Sequence, residues 1–357
     1  MVNNFKRRKT KVVRIGKVAI GGNNPIAVQS MTKTFTHDVA ATVKQILELE
    51  HAGCNIIRLA IPDLSAAEAL RKIKAKIHIP LVADIHFDHR LALLSIENGA
   101  DKIRINPGNI GSEDKIRSVV SACKERKIPI RVGVNSGSVE KRLLSRRHAA
   151  DPEKRAAVLV ESALDNVRIL EKMGFFNIVI AVKSTSVQET IAAYRKISGL
   201  VSYPLHLGVT EAGVPPLGEI RSAVGIGTLL SEGIGDTLRV SLTAPPIEEV
   251  RAGCEILKSL ALGGFGVTIV SCPTCGRCGI DLSKVARAVQ AEVTGIKKPL
   301  KIAIMGCAVN GPGEAKEADL GIAGGKGMGL LFKKGKIIAR VPEKDLVKAL
   351  IREIKKA

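Results

Sequence analysis

Eight short apolar runs alternate along the chain with segments of helical periodicity, and this order constrains the fold more than any other feature. Short runs with few polar residues are typical of strands that are buried on both faces of a parallel sheet. The runs cover residues 25–31, 55–61, 80–87, 101–107, 129–136, 177–184, 204–211 and 236–243. Eight strand–helix units predict a closed (β/α)8 TIM barrel of the α/β class. A doubly wound open sheet is the alternative, but no Gly-x-Gly-x-x-Gly follows the first run.

Helical segments lie between these runs and predict the outer layer of the barrel. They cover residues 39–52, 65–77, 112–126, 152–173 and 247–260. Before the first run, residues 12–21 contain two short apolar pieces separated by Gly16 and Lys17. We predict that this stretch forms a hairpin that covers the floor of the barrel.

Polar side chains recur at the carboxyl ends of the predicted strands, where barrel enzymes place their chemistry. They are Arg58, Asp84, His86, Arg104, Asn106, Arg131, Asn135, Lys183, His206, Glu211, Arg239 and Ser241. Five of them are cations, and we expect only Asp84 and Glu211 to neutralise these cations at one mouth. Since guanidinium groups bind phosphate oxygens bidentately, the set predicts a diphosphate-sized ligand. His86 and His206 suit hydrogen-bonded positioning of a ligand as well as acid–base catalysis.

A second group of chemically active residues follows the last predicted barrel helix. Cys272 and Cys275 are separated by two residues, so a tight turn can aim both sulfurs at one ion or cluster. Cys307 follows another apolar run, and Glu314 lies seven residues later. The spacing alone favours zinc and iron–sulfur equally. Cys278 extends the pair to a Cys-x2-Cys-x2-Cys run, which resembles a ferredoxin arrangement and weakens Glu314 as a ligand candidate.

Length and cysteine usage indicate two domains in a reducing setting. The chain has 357 residues, of which 45% are hydrophobic. We predict a substrate-binding barrel over residues 1–262, a linker over 263–267 and a metal-binding α+β domain over 268–357.

The seven cysteines are an odd number, and neither a signal peptide nor an apolar stretch of about 18 residues is recognisable. We therefore expect a cytoplasmic protein in which Cys54, Cys123 and Cys254 are reduced structural thiols.

The charge balance favours acidic partners or phosphorylated ligands. The formal net charge is +21, from 55 Lys and Arg against 34 Asp and Glu. Aromatic residues make up only 3%, and no RNP, KH or zinc-knuckle pattern is present. The chain therefore has few side chains on which the bases of a nucleic acid could stack. A nucleic-acid-binding protein with a zinc ribbon is one alternative. A zinc-dependent barrel hydrolase or aldolase, which needs no reductant, is the other.

Eight motifs in one order resemble the 4-hydroxy-3-methylbut-2-enyl diphosphate synthases of the non-mevalonate isoprenoid pathway, over nearly the whole chain. The motifs are VQSMT at 28–32, ADIHF at 83–87, IRINPGN at 103–109, RVGVNSG at 131–137, HLGVTEAG at 206–213, SAVGIG at 222–227, CPTCG at 272–276 and MGC at 305–307. The resemblance implies a barrel followed by a small α+β domain that carries a [4Fe-4S] cluster. It also implies the bacterial two-domain form, because 357 residues leave no room for the middle domain of the plant type.

The same resemblance assigns the cluster ligands. Cys272, Cys275 and Cys307 match the family's thiolates, and Glu314 matches its unusual carboxylate ligand. A carboxylate oxygen is a harder and more readily displaced ligand of iron than a thiolate, so Glu314 can yield its place to substrate. Cys278 has no counterpart in the pattern, and it is therefore interpreted as an additional thiol near the cluster.

The implied reaction is the two-electron reductive ring opening and dehydroxylation of 2-C-methyl-D-erythritol 2,4-cyclodiphosphate to 4-hydroxy-3-methylbut-2-enyl diphosphate. A [4Fe-4S] cluster stores low-potential electrons for such a reaction, and an open iron acts as a Lewis acid. Glu211 would face the substrate hydroxyls and help in proton transfer. The electrons would come from reduced flavodoxin or ferredoxin, acidic proteins that a charge of +21 attracts.

Chain direction predicts that this site is shared between two subunits. The last barrel helix returns the chain to the floor of the barrel, on the side opposite the predicted cations. The connection over residues 263–266 is four residues long and spans at most about 14 Å. We therefore expect a head-to-tail homodimer in which each cluster domain caps the barrel of its partner.

Overall fold

The computed structural model describes residues 6–139, 143, 151–263, 266–293, 296, 298–307, 316–325 and 327–356. The chain divides into two compact units, Met1–Gly263 and Gly264–Ala357. Each unit contains its own cluster of buried apolar side chains, as expected of a separate domain. The division falls within the predicted linker, although Val267, the last predicted linker residue, is already part of a strand.

A short hairpin opens the first unit, as predicted. Strands β1 (Val13–Ile15) and β2 (Val18–Ile20) pair antiparallel, and the turn between them contains Gly16 with a φ of +52°. Buried side chains of the hairpin pack against Ala27 and Ile56, each the first residue of a barrel strand. The hairpin therefore covers the amino ends of the strands, which form the barrel floor.

Eight parallel strands form the barrel, one for each predicted run. They are β3 (Ala27–Met31), β4 (Ile56–Ala60), β5 (Leu81–Asp84), β6 (Lys102–Ile105), β7 (Ile130–Asn135), β8 (Ile178–Lys183), β9 (His206–Leu207) and β10 (Thr237–Leu238). The strands neighbour one another in the order β8-β7-β6-β5-β4-β3-β10-β9. A parallel bridge between Ile180 of β8 and Leu205, just before β9, joins the two ends of this order. The closed ring confirms the (β/α)8 barrel and excludes the doubly wound alternative.

Helices follow the strands and cover the barrel. They are α1 (Val39–His51), α2 (Leu64–Lys74), α3 (His89–Glu97), the single turn α4 (Pro107–Ile110), α5 (Glu113–Glu125), α6 (Pro152–Lys172), α7 (Val187–Ser198), α8 (Leu217–Ser231) and α9 (Pro246–Ser259). The five predicted helices are confirmed to within a few residues at each end. Asp63 begins α2 by accepting a hydrogen bond from the Ala66 N–H, which would otherwise lack an intrahelical partner. Within the described residues, no helix is long and apolar enough to cross a membrane.

The packed core of the barrel holds the carboxyl ends of the strands in place. Ile57, Leu59 and Ile103 are fully buried, and Leu70 and Ile73 contribute the buried face of α2. Burial of apolar surface contributes about 25 cal/mol per Å². Because such interiors are close-packed, side chains at the carboxyl ends of the strands are held on a rigid wall.

The second unit is the predicted small α+β domain. Its strands β11 (Val267–Ser271), β12 (Leu300–Met305), β13 (Leu320–Ala323), β14 (Met328–Lys333) and β15 (Lys336–Pro342) lie side by side in chain order. The first three strands are parallel, and the last three are antiparallel. Helices α10 (Leu282–Val293) and α11 (Leu346–Lys356) contribute Val289 and Leu350 to a core that also contains Ile302 of β12.

Candidate functional site

The carboxyl ends of the barrel strands bring the predicted cations together. Asp84 of β5 pairs in register with Arg104 of β6, and Arg104 pairs with Arg131 of β7. Residues in the same register of neighbouring strands point to the same side of a sheet, so these three side chains form one row. The five mostly buried cations at this end are Arg58, Arg104, Arg131, Lys183 and Arg239.

Asp84 is the acidic residue at the middle of this group. Its carboxylate lies 3.2 Å from Arg104 Nη1, 3.7 Å from Arg58 Nε and 3.6 Å from His86 Nε2. Burial opposes ionisation, but Arg58, the hydrogen bond from His86 and the charge of Arg104 outweigh it. Together these groups hold the pKa of the Asp84 carboxyl well below its usual range. Asp84 is therefore ionised and orients two guanidinium groups.

Arg131 retains hydrogen-bonding capacity that the protein does not use. It is 2% exposed, and its Nε and Nη1 have no hydrogen-bond partner among the described residues. Burial is the main reason that its pKa is lowered, and the neighbouring charges of Arg58 and Arg104 lower it further. Arg104 Nη2 donates to the Gly133 carbonyl at 2.9 Å, and its Nε has no partner within the residues that the structure describes. Buried N–H groups are normally paired, so this arrangement is typical of a site that binds an anion.

A second group of polar residues lies across β8, β9 and β10. His206 Nδ1 is 2.7 Å from Thr237 Oγ1, whereas His206 Nε2 is buried without a partner in the described part of the chain. Burial, followed by the charges of Lys183 and Arg131, lowers the pKa of His206 well below its ordinary value. Burial and the same arginine, together with Arg239, lower the pKa of Lys183. An anion bound here would stabilise the charged forms of both residues.

Glu249, on α9, is the second acid at this end of the barrel, and the sequence did not reveal it. Its carboxylate lies 3.3 Å from Arg239 Nη2 and 3.4 Å from Lys33 Nζ, and it also accepts a hydrogen bond from the Leu242 N–H. Burial is the main reason that the pKa of Arg239 falls to about 10. Glu249, and not the expected Glu211, balances the charge on this side.

Lys102 and Gln29 form a buried polar pair that the strand-end pattern also missed. Both are at most 1% exposed, and Lys102 Nζ lies 3.4 Å from Gln29 Oε1. Burial, with added repulsion from Arg131 and Arg58, lowers the pKa of Lys102 well below its ordinary value. Lys102 begins β6, whereas the pattern selected residues where strands end. A lysine within a predicted barrel strand was the one available signal.

The remaining predicted residues of the mouth differ in their surroundings. His86 is exposed but touches Arg104 and Asp84. Asn106 is buried, and its Oδ1 accepts a hydrogen bond from the Gly133 N–H, which ties β6 to β7. Glu211 is exposed and has a φ of +52°. Asn135 and Ser241 are half-buried.

The second candidate site lies where β11 and β12 end in the small domain. Cys272 follows β11 directly, and its Sγ accepts a hydrogen bond from the Gly306 N–H at 3.3 Å. A Cβ at Gly306 would lie 2.4 Å from Cys278 Sγ and 3.6 Å from Cys272 Sγ. Cys307 is the next residue along the chain. The lack of a side chain at Gly306 thus leaves space that sulfur atoms occupy.

The thiols of the small domain suit a metal centre by residue type. Cys275 is exposed, and hydrogen bonds from the backbone and then the side chain of Arg277 lower its pKa, which favours the thiolate that metals bind. Among the residues that the structure describes, no three His, Cys, Asp or Glu side chains form a complete metal-binding group. Glu314 lies outside the described residues, so its predicted role stays a prediction. Cys54, Cys123 and Cys254 are buried in the barrel, and burial raises the pKa of each thiol.

Family models match both units of the chain. The GcpE TIM-barrel domain matches residues 10–254, and the GcpE protein C-terminal domain matches residues 268–356. The chain belongs to the GcpE family. Membership confirms the resemblance drawn from the eight motifs, and it implies an enzyme with a metal cofactor.

Relatives in the GcpE family match this chain from end to end. One from Caldanaerobacter subterraneus subsp. tengcongensis is 59% identical over 350 residues, which cover 98% of each chain. Another from Clostridium perfringens is 57% identical over 98% of this chain and 99% of its own. Both are named 4-hydroxy-3-methylbut-2-en-1-yl diphosphate synthase (flavodoxin).

Solved structures of dihydropteroate synthases share the barrel architecture of this GcpE-family chain. The Stenotrophomonas maltophilia enzyme aligns with a TM-score of 0.53 at 13% identity, covering 71% of this chain and 97% of its own. The Xanthomonas albilineans enzyme aligns with a TM-score of 0.51 at 14% identity over the same shares. At such low identity the likeness concerns the fold alone.

Proposed function

We propose that this chain reduces 2-C-methyl-D-erythritol 2,4-cyclodiphosphate, opens its ring and removes a hydroxyl to give 4-hydroxy-3-methylbut-2-enyl diphosphate in isoprenoid biosynthesis. The observation that carries the proposal is the buried set of cations at the barrel mouth, where two nitrogen atoms of Arg131 have no partner in the described part of the chain. The names of relatives at 57% to 59% identity give the same reaction class. The two units would then be a substrate-binding barrel and a cluster-binding domain.

The barrel residues suit a cyclic diphosphate because they supply many donors and few acceptors. Arg104, Arg131 and Arg239 each have a buried nitrogen without a partner among the described residues, and charge-assisted hydrogen bonds to phosphate would satisfy them. Asp84 and Glu249 hold the guanidinium groups in place without cancelling all their charge. The same cations would stabilise the negative charge that develops as the ring opens and a phosphate oxygen leaves. The proposed substrate-binding residues are Arg58, Asp84, His86, Arg104, Asn106, Arg131, Asn135, Lys183, His206, Arg239 and Ser241.

In the small domain, Cys272, Cys275, Cys307 and Glu314 would hold a [4Fe-4S] cluster. Such a cluster supplies low-potential electrons one at a time, which reductive cleavage of a carbon–oxygen bond requires. Gly306 supports this assignment, because the missing Cβ lets Cys272 and Cys278 lie against the backbone beside Cys307. Glu211 is proposed to meet the substrate hydroxyls and assist proton transfer.

The proposed partners are a reduced flavodoxin and a second copy of the chain. The names of these relatives include flavodoxin, which supports it as the electron donor. Flavodoxins and ferredoxins are acidic, so a net charge of +21 would accelerate the encounter with either. A cytoplasmic location agrees with the seven cysteines, none of which forms a disulfide in the described residues. The homodimer is proposed because the last barrel helix leads the chain toward the barrel floor, away from the cations.

Anaerobic turnover tests the proposed function directly. Purified protein reconstituted with iron and sulfide is mixed with the cyclodiphosphate and chemically reduced flavodoxin, and the product is identified by mass spectrometry. We expect 4-hydroxy-3-methylbut-2-enyl diphosphate to form only when the reduced donor is present. Turnover of a protein that contains zinc and needs no reductant would instead support the zinc-dependent hydrolase or aldolase.

A further inference from the structure

Lys102 is a buried lysine inside the barrel, below the residues proposed to bind substrate. It precedes Arg104 by two residues on β6, and side chains two apart on a strand lie on the same face. Both therefore point into the barrel, with Lys102 about 7 Å nearer the floor. Its Nζ lies 3.4 Å from Oε1 of Gln29 on β3, and β5 and β4 separate these two strands in the sheet. A contact between β6 and β3 crosses the interior, so the amine lies beneath the cationic mouth.

No acidic side chain in the described part of the chain pairs with Lys102. On the floor side, its register partner Val82 belongs to the apolar cluster that contains the hairpin, so no counter-charge is available there. On the mouth side, the nearest charges are those of Arg131 and Arg58, which repel an ammonium. Gln29 Nε2 is buried without a partner among the described residues. A charged Lys102 would thus be both desolvated and repelled, which is costly until a negative charge arrives.

The charges around Lys102 decide whether its amine is protonated. Burial, and then the charges of Arg131 and Arg58, lowers its pKa, and Lys102 in turn helps to lower the pKa of His206. The charged and titratable side chains around this interior are Arg58, Asp84, Arg104, Arg131, Lys183, Tyr194, His206, Arg239 and Glu249. Both carboxylates in this set already contact arginines. The empty barrel therefore favours the neutral amine, and an anion at the mouth would reverse the balance.

We propose that Lys102 is a further residue of the diphosphate site, which is uncharged while the mouth is empty and takes one proton from solvent when a diphosphate group binds above it. The ammonium that forms adds a positive charge below the guanidinium groups and attracts the ligand through the low-dielectric interior. No bond between heavy atoms forms or breaks, and no electron is transferred. The inference rests on the proposed function because it places a diphosphate at the mouth, but inorganic diphosphate serves as the probe in its test.

A lysine of this kind should destabilise the empty protein. The unfolded chain protonates it below about pH 10.4, whereas the folded protein keeps the amine neutral down to its lowered pKa. Within that window the unfolded state binds more protons, so stability falls as pH falls. Lys102→Met has a similar length but cannot ionise. It should raise the urea midpoint above that of wild type, by an amount that grows as pH falls from about 10.

Binding of inorganic diphosphate to the full-length protein measures the other half of the inference. Calorimetry in two buffers of different ionisation enthalpy gives both the Kd and the number of protons taken up. Lys102→Met should bind diphosphate about ten-fold more weakly than wild type and take up fewer protons. Lys102→Gln can still form a hydrogen bond but carries no charge, so it should show the same losses. Lys44→Met is the matched control, because Lys44 is exposed on α1 and its variant should match wild type.

The combination of higher stability and weaker binding distinguishes this role from a structural one. Wild-type affinity and proton uptake in Lys102→Met or Lys102→Gln would overturn the inference, as would wild-type protein that binds diphosphate without taking up protons. If Lys102→Met does not fold, Lys102→Gln and the wild-type proton count decide. Wild type that binds diphosphate but does not convert the cyclodiphosphate overturns the proposed function and leaves the comparison of variants intact. Wild type that binds no diphosphate overturns both.

Discussion

Arg131 is the residue on which anion binding at the barrel mouth depends most, because two of its buried nitrogen atoms have no protein partner within the described residues. Arg131→Ala or Arg104→Ala should each remove charge-assisted hydrogen bonds worth about 1.5–3 kcal/mol. This loss corresponds to a roughly ten- to hundred-fold weaker Kd for the cyclodiphosphate, measured by calorimetry. The absorption spectrum of the cluster should not change.

Arg90→Ala is the matched control for these arginine variants. Arg90 is exposed on α3 and pairs only with Asp88 in the described structure, so its loss should leave the Kd unchanged. If Arg104→Ala and Arg131→Ala bind the ligand as tightly as the control, the diphosphate site lies elsewhere.

Substrate binding should also be accompanied by proton uptake. Burial and neighbouring cations lower the pKa values of Lys102, Lys183 and His206. A bound polyanion favours the charged forms, so these pKa values rise on binding and protons are taken up at any pH between the free and bound values. Calorimetry near neutral pH in two buffers of different ionisation enthalpy measures this uptake. Lys183→Met should reduce it, and a binding enthalpy independent of the buffer would contradict the expectation.

The cysteines of the small domain should differ in their importance for the cluster. Cys272→Ser, Cys275→Ser or Cys307→Ser should each abolish the [4Fe-4S] spectrum and the activity, because a hydroxyl is a poor substitute for thiolate. Cys278→Ser should retain both while Glu314 is intact. Iron analysis and absorption spectroscopy check all four variants. Loss of iron from Cys278→Ser alone would show that the carboxylate is not the fourth ligand.

The sequence predicted the cations at the barrel mouth but not the buried charged residues Glu249 and Lys102. Arg58, Arg104 and Arg131 were recognisable because each interrupts or ends an apolar run. Glu249 was missed because it lies on α9, where a glutamate is usually solvent-exposed, and only the fold brings it to Arg239. Lys102 was missed because a lysine at the start of a strand usually marks the solvated end. Burial depends on contacts between distant parts of the chain, which a single sequence does not display.

Among the barrel elements, β9 and β10 are much shorter than the runs that predicted them. Each has two residues, because the chain leaves the sheet early on both strands. Gly208, the residue after β9, lies close to the neighbouring strands. A Cβ there would lie 2.5 Å from Lys183 Nζ and 2.6 Å from the Arg239 carbonyl oxygen. Apolar composition predicted the existence and order of these strands but not their length.

Gly208→Ala should therefore perturb both stability and ligand binding. The new methyl group must displace Lys183 or the backbone at Arg239, at an overpacking cost of about 1–3 kcal/mol. Urea unfolding and the Kd for the cyclodiphosphate measure the two effects. Gly227→Ala, within α8, is the control, because a Cβ there meets nothing within 4 Å and should stabilise the helix by up to about 1 kcal/mol. If Gly208→Ala and Gly227→Ala have the same stability and the same Kd, the close contacts of Gly208 do not shape the barrel mouth.

At the scale of the whole molecule, the cations and the thiols lie in different units of one chain. Under the proposed function the substrate meets both, whereas the last barrel helix, α9, has 14 residues, about 20 Å of rise, and runs toward the barrel floor. The proposed head-to-tail dimer would let each thiol-bearing domain serve the barrel of its partner.

Subunit mixing tests whether the working site is shared. Cys307→Ala is expected to be inactive because it lacks the cluster, and Arg104→Ala is expected to have little activity at a substrate concentration far below its weakened Kd. After subunit exchange, one of the two sites in a mixed dimer pairs an intact barrel with an intact cluster domain, so activity should reappear. Mixing Arg104→Ala with Arg131→Ala is the matched control, because every barrel in that mixture is defective. If exchange is proven by native mass spectrometry and the first mixture stays as inactive as the control, the site belongs to a single chain and the dimer model fails.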